Sequence, residues 1–281
     1  RIAVIGATGN VGRALVAALV QGGAQVITLA RSPQRFQPLG HRVTQCALDL
    51  DKDGPALAEA LQHADCIINV AHARYTSKII DALPGPQARL ITLGSTRKFS
   101  QFPDRKAADI LEAEAAHGEG VAGIMLHPAM IYGGADNNIR RMMRIIRWTP
   151  VLPLPLAGRS LLQPIHRDDV VQCLLAAIDR DTGAEPIIIA GPAPLSYAEI
   201  IAACAGAAGR RVRIAATPLW VMRMLAMLTK ILPGFPTVAG DEVLRLLEDK
   251  AFDITAMQQR LGVNPCTFDE GLARMRRAGD L

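Results

Sequence analysis

The chain has 281 residues, half of them apolar and 4% aromatic, with a net charge of +5. No stretch approaches the roughly 18 uninterrupted apolar residues that a membrane span needs, and the basic residues are not gathered in one tract, so a small anionic molecule is a better expected partner than nucleic acid. A length of this order suits one large doubly wound domain with a smaller lobe attached.

Five cysteines (Cys46, Cys66, Cys173, Cys204 and Cys266) lack metal or redox spacing, which implies reduced, buried thiols, a cytoplasmic setting and no metal site. No cleavable signal is expected, because the sequence opens directly on a core strand.

Ile2, Val4 and Ile5 form a short β-branched run that reads as a buried strand, and Val11, Leu15, Ala18 and Leu19 then recur with helical period. Gly6, Gly9 and Gly12 stand between the two. Gly6 serves the tight turn, Gly9 lets backbone approach a pyrophosphate, and Gly12 lets the helix pack on the sheet with its N-terminus facing the anion. The spelling Thr8-Gly9-Asn10-Val11-Gly12 resembles the turn of the extended and atypical short-chain dehydrogenase/reductase superfamily, in particular its epimerase/dehydratase, NmrA-like and complex I accessory subunit-like branches. The resemblance implies a Rossmann fold and a nicotinamide cofactor held by Gly6, Thr8, Gly9, Asn10, Val11 and Gly12.

A second strand over 25–30 ends at Arg31, where an NAD-selective protein usually places an acidic residue. The planar guanidinium fork suits a 2′-phosphate, so NADP(H) is favoured and NAD(H) is the alternative. The third strand, 42–46, leads to Asp49, which either contacts adenine, as the resemblance implies, or caps a helix over 54–62. The fourth, 65–70, carries Asn69 beside the expected path of the cofactor ribose. A helix over 76–83, a strand over 89–93 ending at Ser95, a helix over 104–117 and a strand over 121–126 follow. The last strand opens into His127-Pro-Ala-Met-Ile-Tyr132-Gly, which resembles the superfamily's RPxxxYG segment with His127 in place of arginine.

This alternation specifies an α/β doubly wound parallel sheet with a small, mainly helical C-terminal lobe. The expected division is a Rossmann domain over 1–165, to which a helix over 168–179 and a strand over 185–190 return, and a lobe over 191–281. Gln163-Pro-Ile-His-Arg-Asp-Asp-Val170 resembles the family's HVDD-like segment, and its architectural reading is preferred, with Asp168 as a candidate helix cap. Helices are expected over 196–208, 218–232 and 241–248. The apolar 218–232 segment packs within the lobe or serves as a lid, a dimer face or a peripheral membrane contact. A monomer or a homodimer is compatible with this sequence.

The resemblance implies a Tyr-x-x-x-Lys engine assisted by serine. Ser95 takes the serine place and Lys106 the lysine place, but Phe102 stands four residues before Lys106 and Phe99 four after Ser95, so both hydroxyls are missing. Lys106 is then either the proton-transfer group, as in the isoflavone reductase-like branch, or a holder of the cofactor ribose. Tyr132 is a second candidate donor. Arg140, Arg144 and Arg147 share one helical face, suited to an anionic substrate or simply solvated. The expected function is NADP(H)-dependent oxidation or reduction of a small carbonyl or related compound. The alternatives are a non-catalytic NAD(P)H-binding sensor or structural subunit, and a nucleotide-sugar epimerase or dehydratase.

Overall fold

The computed structural model describes residues 1–32, 40–118, 120–180, 182–222, 224, 244 and 246–281. The first half alternates β1 (Ile2–Ile5), α1 (Asn10–Gln21), β2 (Val26–Ala30), β3 (Val43–Ala47), α2 (Gly54–Leu61), β4 (Cys66–Asn69), α3 (Thr76–Asp81), β5 (Arg89–Leu93), α4 (Arg105–Gly118) and β6 (Gly123–Pro128). The remainder contains β7 (Ile131–Tyr132), α5 (Asn137–Trp148), β8 (Val151–Leu154), β9 (Leu161–Leu162), β10 (Ile165–His166), α6 (Arg167–Asp179), β11 (Ile187–Ile189), β12 (Leu195–Ser196), α7 (Tyr197–Ala207), β13 (Arg213–Ala216) and α8 (Phe268–Arg277).

Seven parallel strands form the central sheet in the order β11-β6-β5-β4-β1-β2-β3. Strand order reverses after β3, where the chain returns to the other side of β1, and this switch point lies at the carboxyl end of β1, where the glycine turn begins. Alternate residues of each strand face opposite layers. Val4, Ile68, Ile91 and Ile124 pack under α1 and α6, whereas Ile5, Ile67, Leu29 and Leu90 pack toward α2 and α3. Such runs, buried on both faces, are why the strands read as continuous apolar segments rather than alternating ones.

A third core joins Tyr132, Ile139, Met143 and Ile146 to Ile200, Cys204, Phe268 and Met275. Helix α5 therefore packs with the C-terminal helices, although its sequence position puts it with the Rossmann domain. Conversely, Ile254, Met257 and Leu261 pack onto the α1–α6 layer of the sheet. The expected helices over 218–232 and 241–248 fall mostly outside the described residues.

The ends of α7 and α8 explain their positions. Ser196 and Thr267 each accept the backbone N–H of a glutamate three residues on, Glu199 and Glu270, whose carboxylates return to the cap residue. Thr267→Ala is expected to lower stability by about 1 kcal/mol, read as a lower urea midpoint. An unchanged midpoint would show that apolar packing by Phe268 and Met275 alone holds α8.

The described cysteines are unpaired, and Cys66, Cys173, Cys204 and Cys266 are buried. Among the described residues, no helix is long and apolar enough to cross a membrane.

Candidate functional site

The glycine turn opens onto a crevice of about 680 Å³. Gly6, Thr8 and Gly9 line it with Arg31, Asp49 and Leu50, after β2 and β3, Ala71 and His72, after β4, and Arg105 and Lys106 of α4. These residues come from separate strand ends because a doubly wound sheet brings its carboxyl ends together at the switch point.

The turn fits a phosphate. Gly9 is the N-cap of α1 in extended conformation, and no side chain caps that end, so the N–H groups of the first turn are left for an anion. Gly6 has φ +83°, and a Cβ there would lie 2.7 Å from the amide nitrogen of Ala71. Glycine at this position lets the first turn nest against the end of β4.

Asn10 does not face the crevice. Its side-chain nitrogen donates to the Gly133 carbonyl and its oxygen accepts from Ala135 N–H, both at 2.9 Å, which ties the turn to the loop after β7. Val11 and Gly12 are buried and pack inward. Asn69, also buried, accepts the Ala71 N–H at 3.1 Å and shapes the turn after β4 from behind the wall.

Asp49 lines the crevice, and it does not cap α2. The N-cap is Asp53, whose carboxylate accepts the Asp49 N–H at 2.8 Å, while Asp49 accepts the N–H of Asp51 at 3.1 Å. Arg31 lines the crevice as well.

Lys106 is exposed in the first turn of α4. Among the described residues its amine forms no hydrogen bond or ion pair. Asp109, one turn further and buried, pairs with Arg105 at 2.8 Å and lies 3.9 Å from His72. Burial pushes the His72 imidazole below its usual range, against the pull of Asp109. His72 and Asp109 were legible in principle: one follows the fourth strand directly, and the other lies three residues after Lys106 on the same helical face.

Position bears on three further expectations. Tyr132 is fully buried between the rings of His166 and Phe268, at centroid distances of 5.2 and 4.9 Å, and its hydroxyl sits 3.5 Å from the Thr267 carbonyl. Burial raises its phenol well above the usual range, so it is a packing residue of the lobe and a poor proton donor. Phe102 lies ahead of α4 rather than on it, with its N–H turned to the Ser100 hydroxyl and the Glu248 carboxylate. A tyrosine there would not occupy the helical position of the family's motif. Ser95 caps a short 3₁₀ turn, Thr96–Phe99, by accepting the Arg97 N–H at 3.1 Å, and is not among the residues facing the crevice.

Beneath Ser95, Glu114 pairs with Lys98 and stands 3.0 Å from the buried His127, whose pKa falls to about 4 through burial and then the Lys98 charge. His127 is thus neutral and packed, where the RPxxxYG pattern has an arginine. The HVDD-like segment is architectural. His166, not Asp168, caps α6, and Asp169 accepts Cys266 N–H at 2.9 Å and pairs with Arg274 at 3.2 Å, joining α6 to the approach and body of α8. Arg140 pairs with Asp280, Arg144 and Arg147 are exposed, and none of the three lines the crevice.

Residues 6–133 match the model of a family described as NAD(P)H-binding. Among curated proteins, an uncharacterized protein of Mycobacterium tuberculosis is 28% identical over 208 residues, covering 72% of this chain and 23% of the relative. The chain therefore spans about a quarter of that relative's length. A dTDP-6-deoxy-L-talose 4-dehydrogenase (NAD(P)(+)) of Kitasatospora kifunensis is 31% identical over 122 residues, 37% of each chain. The mitochondrial NADH dehydrogenase [ubiquinone] 1 alpha subcomplex subunit 9 of Arabidopsis thaliana is 24% identical over 204 residues, 63% of this chain and 50% of that one.

Solved structures share the fold across nearly the whole chain. MoeE5 in complex with UDP-glucuronic acid and NAD is 20% identical with TM-score 0.72, covering 99% of each chain. The dTDP-glucose 4,6-dehydratase of Bacillus anthracis in complex with NAD is 13% identical with TM-score 0.77, covering 98% of this chain and 95% of that one. Residues 6–133 thus resemble an NAD(P)H-binding family, and the chain shares its fold with these solved structures.

Proposed function

We propose that this chain is an NADP(H)-dependent oxidoreductase of the atypical short-chain type, acting on a small carbonyl or related compound. The observation that carries this reading is one crevice lined by Gly6, Gly9, Arg31 and Lys106 together. The open N-terminus of α1 takes the pyrophosphate, and Arg31 takes the adenosine 2′-phosphate in a forked hydrogen bond. When bound, the cofactor supplies or accepts hydride. The chain's own part is to orient it against Ala71 and His72, and to move a proton between Lys106 Nζ and the substrate oxygen. The unpaired thiols suit a reducing compartment, and we place the protein in the cytoplasm.

Cofactor choice gives the first test. Wild-type protein is expected to bind NADPH more tightly than NADH in calorimetric titrations. Arg31→Asp is expected to weaken NADPH by roughly ten- to a hundred-fold, the worth of a charge-assisted hydrogen bond, and to reverse the order. Equal wild-type affinities would remove the NADP(H) assignment.

The second reading is a non-catalytic NAD(P)H sensor of the NmrA kind or a structural subunit. The absence of a tyrosine at the helical position before Lys106 favours it, and so does the likeness to the Arabidopsis NADH dehydrogenase subunit. Nucleotide-sugar epimerase or dehydratase chemistry ranks third. Its solved relatives support it by fold alone, and the α5 arginines that would hold a diphosphate lie away from the crevice. A carbonyl substrate screen with NADPH separates these readings: turnover supports the first, and binding without any turnover supports the second.

A further inference from the structure

The wall residues Arg74 and Tyr75 are engaged with Asp51 in a way the glycine turn and α4 do not require. Arg74 Nη2 and the Tyr75 hydroxyl each donate to the same oxygen of Asp51 at 2.8 Å. The guanidinium also lies over the Tyr75 ring, 4.5 Å from its centroid, and contacts the Tyr75 hydroxyl. On α3, Lys78 Nζ donates to the Leu50 carbonyl at 3.0 Å. The loop after β3 is thereby fastened to the segment after β4 at two points. Arg31, Arg74 and Tyr75 all line the crevice. The Asp51 carboxyl is held below the usual carboxylate range by the Tyr75 hydroxyl first, and then by Arg74, Lys78 and Arg31. One carboxylate thus bonds two residues that line a crevice suited to a multiply charged phosphate ligand.

We infer that Asp51 is an internal stand-in for phosphate: it pairs with Arg74, and an incoming dinucleotide takes Arg74 over through its pyrophosphate or its 2′-phosphate. This inference rests on the dinucleotide reading of the crevice. Exposure makes the exchange inexpensive. Asp51 and Arg74 are each 49% exposed, and a solvated pair of this kind holds only a few-fold in equilibrium terms. The 2′-phosphate offers Arg74 a second negative charge and three acceptor oxygens, and the pyrophosphate two charges over four non-bridging oxygens, in place of one shared carboxylate oxygen. Asp51 then opposes binding by competition, and Arg74 supports it.

The test is calorimetric titration of NADPH and NADH, at low salt, into wild type, Asp51→Asn, Arg74→Met and the double variant. Asp51→Asn is expected to tighten at least one dinucleotide by about two- to five-fold. Arg74→Met is expected to weaken binding by about ten-fold, and adding Asp51→Asn to it should give no further change. A gain confined to NADPH identifies the 2′-phosphate as the group that takes Arg74, whereas equal gains with both identify the pyrophosphate. Wild type that binds while Asp51→Asn gives no gain overturns the stand-in role alone. A gain that persists undiminished without Arg74 does the same, because it would be a general charge effect. Wild type that binds neither dinucleotide overturns the crevice reading, and this inference with it.

Discussion

Gly9→Val is expected to weaken dinucleotide binding by more than about a hundred-fold while leaving the protein folded, whereas Gly12→Val is expected to prevent folding. The two positions are three residues apart, and their surroundings differ. Gly9 has φ −70° and ψ 173°, a conformation valine adopts readily, and a Cβ there meets only the Gly6 carbonyl oxygen, at 3.2 Å. A shift of a few tenths of an ångström accommodates it. The branched methyls then project where the pyrophosphate must sit, and two lost charge-assisted backbone hydrogen bonds suffice for a hundred-fold loss. At Gly12 a Cβ would lie 2.3 Å from the Gly6 oxygen and 2.8 Å from Ala7 Cα. Both are backbone atoms of the turn from β1 into α1, fixed by the packing of Val4 and Leu15, so they cannot give way without parting helix from sheet. Circular dichroism and thermal melting report the fold, and calorimetry reports binding. A folded Gly9→Val that binds normally would remove the turn from the site, and a stable Gly12→Val would refute the packing argument.

The contrast between these glycines also marks what the sequence makes legible. Strands buried on both faces and helices of clear period declare themselves locally, so the central sheet was readable to within a residue or two at most ends. The two-residue strands β7, β9, β10 and β12 carry no period and were invisible. Helix α5 shows in the sequence only as the shared face of Arg140, Arg144 and Arg147, and its allegiance does not show: its apolar face of Ile139, Met143 and Ile146 packs with α7 and α8. Tyr132 is ambiguous in sequence for the same reason. It follows a sheet strand closely enough to be assigned to the crevice, yet its ring turns into the lobe, toward residues more than a hundred positions away. The Asp51–Arg74 pair, 23 residues apart, likewise leaves no sequence signature. The expected residues that line the crevice, Gly6, Thr8, Gly9, Arg31, Asp49 and Lys106, are those that one turn, one strand end or one helix face determines.

Lys106→Met is expected to lower kcat for carbonyl reduction by about 10²- to 10⁴-fold, the usual worth of a general acid, while NADPH affinity changes by less than about five-fold. The expectation follows from position and partnership. The amine is exposed at the crevice, in the first turn of α4, and forms no ion pair among the described residues, while the neighbouring Asp109 is occupied by Arg105 and stands beside His72. An amine so placed has its proton free for a substrate oxygen. The rival role, holding the cofactor ribose, predicts the opposite division: weaker NADPH binding with kcat at saturation largely kept. Lys106→Arg sharpens the distinction, since a guanidinium can hold a hydroxyl but releases no proton in the working pH range. It should restore cofactor affinity in the ribose-holding case and leave turnover lost in the proton-transfer case. Phe102→Tyr should restore nothing, because that side chain precedes the helix and its backbone is turned to Glu248. Turnover that survives Lys106→Met undiminished would end the lysine mechanism, and full turnover in Lys106→Arg would reduce the residue to a ribose anchor.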